Sequence, residues 1–326
     1  MSGLNQISVT YSTASAVDLL KFVSDEYALN SPLRCRFWTR GANDTYLIYC
    51  ADARYSLRVY RHDTFTREAV EFEAEVLNHL HSQGSGVARP VARRSGGSVA
   101  EIQMPEGCRF VLLSTFAEGS APDYKLPNNC RAVGESVAWL HTHTDNFHTA
   151  LRRPDLDLAT LLDDSLQIIR PYIDGRPADL ELIEQMAATA HETVQSMVAD
   201  KPDVGVCHGD LHGGNLHMHN GAVTHYDFEE CAVGFRAYDL ATFKWGVCMG
   251  RKRTDRWLAF LQGYESVRPI ADCDRALINP FVVIRDLSNI AYGMRHVADF
   301  GHVLIDDAEI DDDCRQLREI QQWLFE

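Results

Sequence analysis

The feature that most restricts how this chain can fold is a change of hydrophobic period near residue 120. From Arg34 to Thr115, short runs of β-branched and aromatic residues alternate with turn residues; beyond about residue 128, apolar residues recur at helical spacing. Arg36-Phe37-Trp38, Thr45–Tyr49 and Tyr55–Tyr60 read as three strands, separated by turns at Gly41-Ala42-Asn43-Asp44 and Ala51-Asp52-Ala53. Between Thr64 and His81, Val70, Ala74, Leu77 and His81 share one helical stripe, and Gly84 supplies a stop. Two more strands are expected around Ser98–Gln103 and Arg109–Thr115, after which Gly119-Ser120-Ala121-Pro122 ends the sheet region. The pattern predicts an α+β chain of two lobes. Residues 1–117 form a small N-terminal β-sheet lobe with one main helix, and residues 118–326 a larger, mainly helical C-terminal lobe, interrupted by a strand-rich loop at Gly205–Phe228.

Composition narrows the classes. The 326 residues suit two domain-sized bodies. Hydrophobic residues at 45% beside 24% charged residues exclude a wholly disordered chain. The charge balance, 31 basic minus 46 acidic residues, gives −15, which repels phosphate backbones, so no nucleic-acid partner is expected. Nine cysteines, an odd number at irregular spacing and without a CxxC pair, speak against a disulfide framework or a cysteine zinc site and for a reducing cytoplasm. No run approaches the roughly 20 apolar residues that span a bilayer, and no basic residue precedes Lys21, so a soluble cytoplasmic protein without a membrane partner or signal peptide is expected.

The chemistry concentrates in Cys207-His208-Gly209-Asp210-Leu211-His212-Gly213-Gly214-Asn215-Leu216, followed by Tyr226-Asp227-Phe228-Glu229. Phosphoryl transfer needs a carboxylate to orient and deprotonate an acceptor hydroxyl and oxygen ligands for Mg²⁺, with little covalent help from the protein. Asp210, Asn215 and Asp227 supply those groups in that order. Magnesium takes hard oxygen ligands and keeps several waters, so one amide carbonyl and one carboxylate, completed by nucleotide phosphates, suffice.

The stretch HGDLHGGN, then YDFEE, then Tyr238-Asp239-Leu240-Ala241 resembles the aminoglycoside phosphotransferase and choline kinase-like superfamily, small-molecule relatives of protein kinases that include homoserine kinase-like and bacterial stress-response kinase-like members. The resemblance covers residues 30 to 300. It implies a bilobal protein-kinase-like fold using ATP and Mg²⁺, with Asp210 as catalytic base, Asn215 and Asp227 as metal ligands, and Asp239 as the brace of the catalytic loop. His208 is expected to hold that loop by hydrogen bonds, and His212 to orient Asp210 or line the acceptor pocket. In the first lobe the loop Arg40-Gly41-Ala42-Asn43-Asp44-Thr45 lacks the usual glycines, leaving Asn43 and Thr45 as phosphate neighbours. Where a phosphate-clamping Lys is expected, Leu57-Arg58-Val59 presents Arg58, which can replace a point charge by a fork. Its helix partner is Glu73, at the edge of an apolar stripe where an unpaired carboxylate is costly. Ser114, Thr115 and Phe116 are the expected hinge for the nucleotide base, and Glu229 a further residue in reach of a second metal.

Rival readings use the same stretch. His208, His212, His217, His219 and His225 crowd together, and such spacings can ligate zinc in a metallohydrolase; that reading leaves Asn215 and Asp227 idle. A catalytically silent nucleotide-binding module conflicts with the presence of all three polar residues, whereas a protein Ser/Thr kinase keeps the chemistry and changes the acceptor. Asp306–Asp313, with six acidic residues in eight, could focus negative potential but reads first as a solvated helix start. Trp245, Trp257, Tyr264 and Tyr292 could cage a quaternary ammonium but read first as core aromatics. The acceptor and the oligomeric state are not legible; a small-molecule hydroxyl acceptor is the expected partner.

Overall fold

The computed structural model describes residues 7–248, 254–295, 297 and 305–325. The chain divides into two compact units, Met1–Ala117 with His148–Arg153, and Glu118–Phe147 with Pro154–Glu326.

The first unit is built on an antiparallel sheet of β1 (Arg34–Arg40), β2 (Asp44–Tyr49), β3 (Arg54–Val59), β4 (Val99–Met104) and β5 (Gly107–Thr115), in the order β1-β2-β3-β5-β4. Because side chains alternate across a strand, Tyr46, Ile48, Leu57, Val59, Val111 and Leu113 gather on one face. They pack against Leu19 and Val23 of helix α1 (Ala16–Glu26). The period reading overlooks α1, although Ser15 caps it by accepting the Asp18 N–H and Leu19 and Val23 stand one helical turn apart. On the other face Val99 and Leu112 meet Val70 and Ala74 of α2 (Arg67–Ser82). Thr66 caps α2 at the Ala69 N–H, and Gly84, at φ +86°, takes the left-handed turn that ends it.

His148–Arg153 belongs to this first unit, whereas the sequence expectation keeps everything after residue 117 in the second. Thr149 donates to Glu75 at 2.5 Å, the Arg152 N–H donates to Glu68 at 2.6 Å, and the Arg153 guanidinium lies over the Phe65 ring. Polar contacts between residues so distant in sequence leave no periodic trace.

The second unit is helical: α3 (Pro127–His143), α4 (Asp164–Ile173), α5 (Pro177–Met197), α6 (Arg236–Cys248), α7 (Thr254–Glu265), α8 (Asp272–Arg295) and α9 (Asp307–Phe325). Helix α8 runs through its core, where Leu277, Phe281, Ile284 and Leu287 are fully buried. Glycines at 134 and 263 let α3 and α7 touch backbone to backbone; a Cβ on either would collide with a carbonyl of the other helix. Short strands make two ladders, β6 (Val204–Cys207) with β9 (Ala232–Phe235) and β7 (Leu216–His219) with β8 (Ala222–His225). The expected strand-rich loop thus extends a few residues further, since β9 lies beyond Phe228. Trp257, Phe260 and Phe243 stack on one another, Tyr264 bonds His141 and Trp245 packs against the same core, so Trp245, Trp257 and Tyr264 are core groups, whereas Tyr292, 43% exposed, is a surface residue and not the core aromatic expected. Asp306 accepts the Glu309 N–H at the start of α9, as an acidic helix start should. The eight cysteines whose side chains are described are free thiols, and no described helix is long and apolar enough to cross a membrane.

Candidate active site

The loop that leaves β6 at Cys207 turns back on itself at Gly209, whose φ of +84° and contact with the Glu230 carbonyl leave no room for a Cβ. Asp239, in the first turn of α6 and 1% exposed, holds this bend. Its carboxylate accepts the backbone N–H of His208 at 2.7 Å and of Gly209 at 2.9 Å, and the Nε2–H of His141 at 3.0 Å. His141 in turn accepts the Tyr264 hydroxyl at Nδ1, 2.8 Å away. Burial alone would raise the Asp239 carboxyl, but these donors hold it below the usual value; burial holds His141 low as well.

His208 donates from Nε2 to the Tyr226 carbonyl at 3.0 Å, which leaves Nδ1 to accept the Asp210 N–H at 3.3 Å. Its ring lies against Phe228. The imidazole therefore ties the loop before Asp210 to the segment before Asp227, and it points no hydrogen-bonding atom elsewhere.

Asp210 is held at both carboxylate oxygens. Oδ2 accepts the Asn215 Nδ2–H at 2.8 Å, and Oδ1 accepts Arg285 Nη2 of α8 at 2.5 Å. Asn215 Nδ2 also donates to the Asp210 carbonyl at 2.9 Å. With both amide protons spent on Asp210, the orientation of the Asn215 side chain is determined, and its Oδ1 has no donor among the described residues. The Asn215 carbonyl accepts the Tyr226 N–H at 3.0 Å, so the β7–β8 hairpin closes with Asp227 one residue beyond Asn215's partner. Asp227 has φ +68°, a left-handed conformation that Asp tolerates better than most residues. His212 accepts the Gly214 N–H at Nδ1, which puts its proton on Nε2, 3.6 Å from Asp210 Oδ2. Burial lowers the pKa of His212 despite the nearby Asp210 charge, which favours this neutral form.

In the first unit, Arg58 Nη1 and Glu73 Oε1 are 2.8 Å apart, and the Tyr60 hydroxyl donates to Glu73 Oε2 at 2.6 Å. Glu73 is 1% exposed, so strand β3 and helix α2 are joined by a nearly dry ion pair. Thr45 stands opposite Arg58 in the β2–β3 register. Asn43 is buried and its Oδ1 accepts the Arg61 N–H at 2.7 Å, a clasp between the β1–β2 turn and the end of β3. Ser114 and Thr115 end β5; the N–H groups of Thr115 and Phe116 donate to the carbonyls of Arg89 and Arg54. Those two amides are spent on the sheet.

Arg285 and the His141–Tyr264 relay have no place in the sequence reading. A signal existed for the first: Arg285-Asp286 interrupts Phe281-Val282-Val283-Ile284 and Leu287, and two charges inside an apolar helical run require partners. The histidines expected of a metallohydrolase disperse. His225 is buried and bonds Ser136, His219 is exposed beside Asn220, and His217 meets the edge of Tyr226. Among the described residues no group of three or more His, Cys, Asp or Glu is arranged to hold a metal ion.

A five-stranded antiparallel sheet unit and a larger helical unit are the parts of a protein-kinase-like fold. The chain belongs to the phosphotransferase enzyme family (APH), whose model matches residues 36–272. It is 34% identical over 265 residues to the uncharacterized protein sll1119 of Synechocystis sp., covering 80% of this chain and 73% of that one. It is 29% identical over 239 residues to homoserine kinase of Brucella anthropi, covering 70% and 68%. Among solved structures it is similar to the amicoumacin kinase hAmiN in complex with AMP-PNP, Ca²⁺ and Ami, at TM-score 0.75 and 19% identity over 94% of this chain and 93% of that one.

Proposed function

We propose that this phosphotransferase moves the γ-phosphoryl group of ATP, with Mg²⁺, to a hydroxyl of a small-molecule acceptor. The observation that carries the reading is the Asp210 carboxylate, fixed at both oxygens beside an Asn215 amide whose carbonyl oxygen is left over. That leftover oxygen and the Asp227 carboxylate are hard donors of the kind Mg²⁺ prefers, so the residues present suit the ion. When bound, the ion would neutralise charge on the phosphates. Asp210 would receive the hydroxyl proton as the acceptor oxygen bonds to the γ-phosphorus and the bond to ADP breaks. Arg58, held by Glu73, would lend positive charge to the phosphates, with Thr45 beside it. Asn43 would act by shaping the turn, since its carbonyl oxygen serves Arg61. At the nucleotide base, Ser114, Thr115 and Phe116 would offer carbonyls and side chains in preference to the occupied amides. His208 would support Asp210 through the backbone.

A small-molecule acceptor is favoured by similarity to kinases named for homoserine and amicoumacin. A panel of amino alcohols, homoserine, aminoglycosides, sugars and a generic protein substrate, scored by ADP release, identifies the acceptor. Asp210→Asn should reduce turnover by about 10²- to 10⁴-fold while nucleotide affinity is kept; undiminished turnover rejects the assigned base. Asp227→Ala should abolish Mg²⁺-dependent ATP binding in calorimetry, and persistence of that binding removes Asp227 from the metal site.

A further inference from the structure

We propose that Arg285 is the positioning residue of the phosphoryl-transfer base, holding the Asp210 carboxylate in its reactive orientation from a helix 75 residues downstream. The inference rests on the function proposed above and extends it to a residue outside the loop motif.

Asn215 alone pins one oxygen of Asp210, and a carboxylate held at one oxygen can still turn about its Cβ–Cγ bond. Arg285 Nη2 takes the other oxygen at 2.5 Å and removes that rotation. The grip is one-pronged: the Arg285 Nε–H is buried and has no partner among the described residues. An ionised carboxylate offers about four lone-pair positions. One goes to Arg285 and one to Asn215, so room remains for an incoming hydroxyl.

The guanidinium is itself placed by its surroundings. It lies over the Trp245 ring of α6, 5.3 Å from the centroid. The Trp245 indole N–H donates to Asp286 Oδ1 at 2.7 Å, and the same oxygen accepts Gln316 of α9 at 2.5 Å. Three helices therefore set the position of one cation, whose side chain is only 14% exposed. A buried ion pair stabilises a fold poorly compared with apolar groups of equal volume. What it does supply is orientation fixed before the reaction, and catalysis is sensitive to displacements of about 1 Å.

The test measures steady-state ADP release with the best acceptor of the panel, for wild type, Arg285→Ala, Arg285→Lys, Asp210→Asn and the Arg285→Ala/Asp210→Asn double variant. Arg285→Ala should lower kcat by about 10²-fold, with the KM for ATP little changed. Added guanidinium ion at sub-denaturing concentration should restore part of the loss, and Arg285→Lys should fall between wild type and Ala. Because Arg285 acts through Asp210, its removal should cost almost nothing further on the Asp210→Asn background. A full additional loss in the double variant, or kcat unchanged in Arg285→Ala, overturns the inference. If Arg285→Ala fails to fold, Arg285→Lys and its own double variant carry the same comparison, with thermal unfolding as the check. An Asp210→Asn enzyme of wild-type activity would sink the proposed function instead.

Discussion

At the scale of single residues, Asp239 illustrates how a buried charge is made tolerable. Two backbone donors and one imidazole surround it, and its carboxyl is held low, so its contribution is present at neutral pH and is lost as pH falls through its folded-state pKa. Asp239→Asn replaces one accepting oxygen with an amide that faces donors. Leaving N–H groups unpaired in a dry site costs about 1–3 kcal/mol, and the bend at His208-Gly209 would lose its hold. Urea unfolding should register a loss of that size, and phosphotransfer should fall with it; a variant of native stability would mean that the loop keeps its shape unaided. Asp210 and Asn215 were identifiable from the motif because their chemistry is written in adjacent residues. For Arg285 the sequence shows only that a charge inside an apolar helical run needs a partner; which partner is decided by packing, because Asp210 lies on another element.

At the scale of elements, the Arg58–Glu73 pair links β3 to α2 across the face of the sheet opposite α1. The alternation of β3 and the helical stripe of α2 were each readable, and together they put an arginine and a glutamate on facing surfaces. The Tyr60 hydroxyl, which satisfies the second Glu73 oxygen, becomes evident only when the strand and helix are packed. Removing one partner of a buried pair strands the other and costs about 3–5 kcal/mol; Arg58 retains some exposure, so the lower end applies. Glu73→Ala should therefore lower the unfolding free energy, read from denaturant titration, by an amount near that figure, whereas a loss below about 1 kcal/mol would mark a solvated pair. Helix α1 escaped the period reading because it is short, with only Leu19 and Val23 fully buried along it.

At the scale of the whole molecule, buried ionisable groups shape the response to pH. Burial pushes the Asp286 carboxyl up to about 6, against hydrogen bonds from Trp245 and Gln316 and the charge of Arg285; burial and neighbouring carboxylates, Asp286 first among them, bring Asp313 to about 6 as well. A carboxyl raised in the folded state binds more protons there than in the unfolded chain. Stability on this account falls as pH rises from about 4 to 6, and the full penalty remains above that range. His225, which burial depresses to about 3, works in the opposite sense, since stability is lost as pH falls below the ordinary histidine value. The difference between variants isolates one group. Asp286→Asn should gain stability relative to wild type between pH 5 and pH 7.5 by about 1.5 kcal/mol, the upper half of a total of about 3 kcal/mol that a shift of roughly two units accumulates from pH 4 upward. Unfolding midpoints at the two pH values decide it; equal differences at both would mean that Asp286 stays ionised throughout.

What the amino-acid sequence determined unaided was the local: the sheet strands, the capped helix α2, the helical rear half, and the spacing of Asp210, Asn215 and Asp227. Each follows from periodicity or from neighbours within a few residues, where sterics and short-range hydrogen bonds dominate. Tertiary structure alone decided which distant groups meet: Arg285 on Asp210, His141 on Asp239 and Arg61 on Asn43 around the candidate site, and, away from it, the return of His148–Arg153 to the first unit. Those pairings depend on how elements pack, and a charged or polar side chain carries no mark of its partner until burial makes an unpaired state too costly.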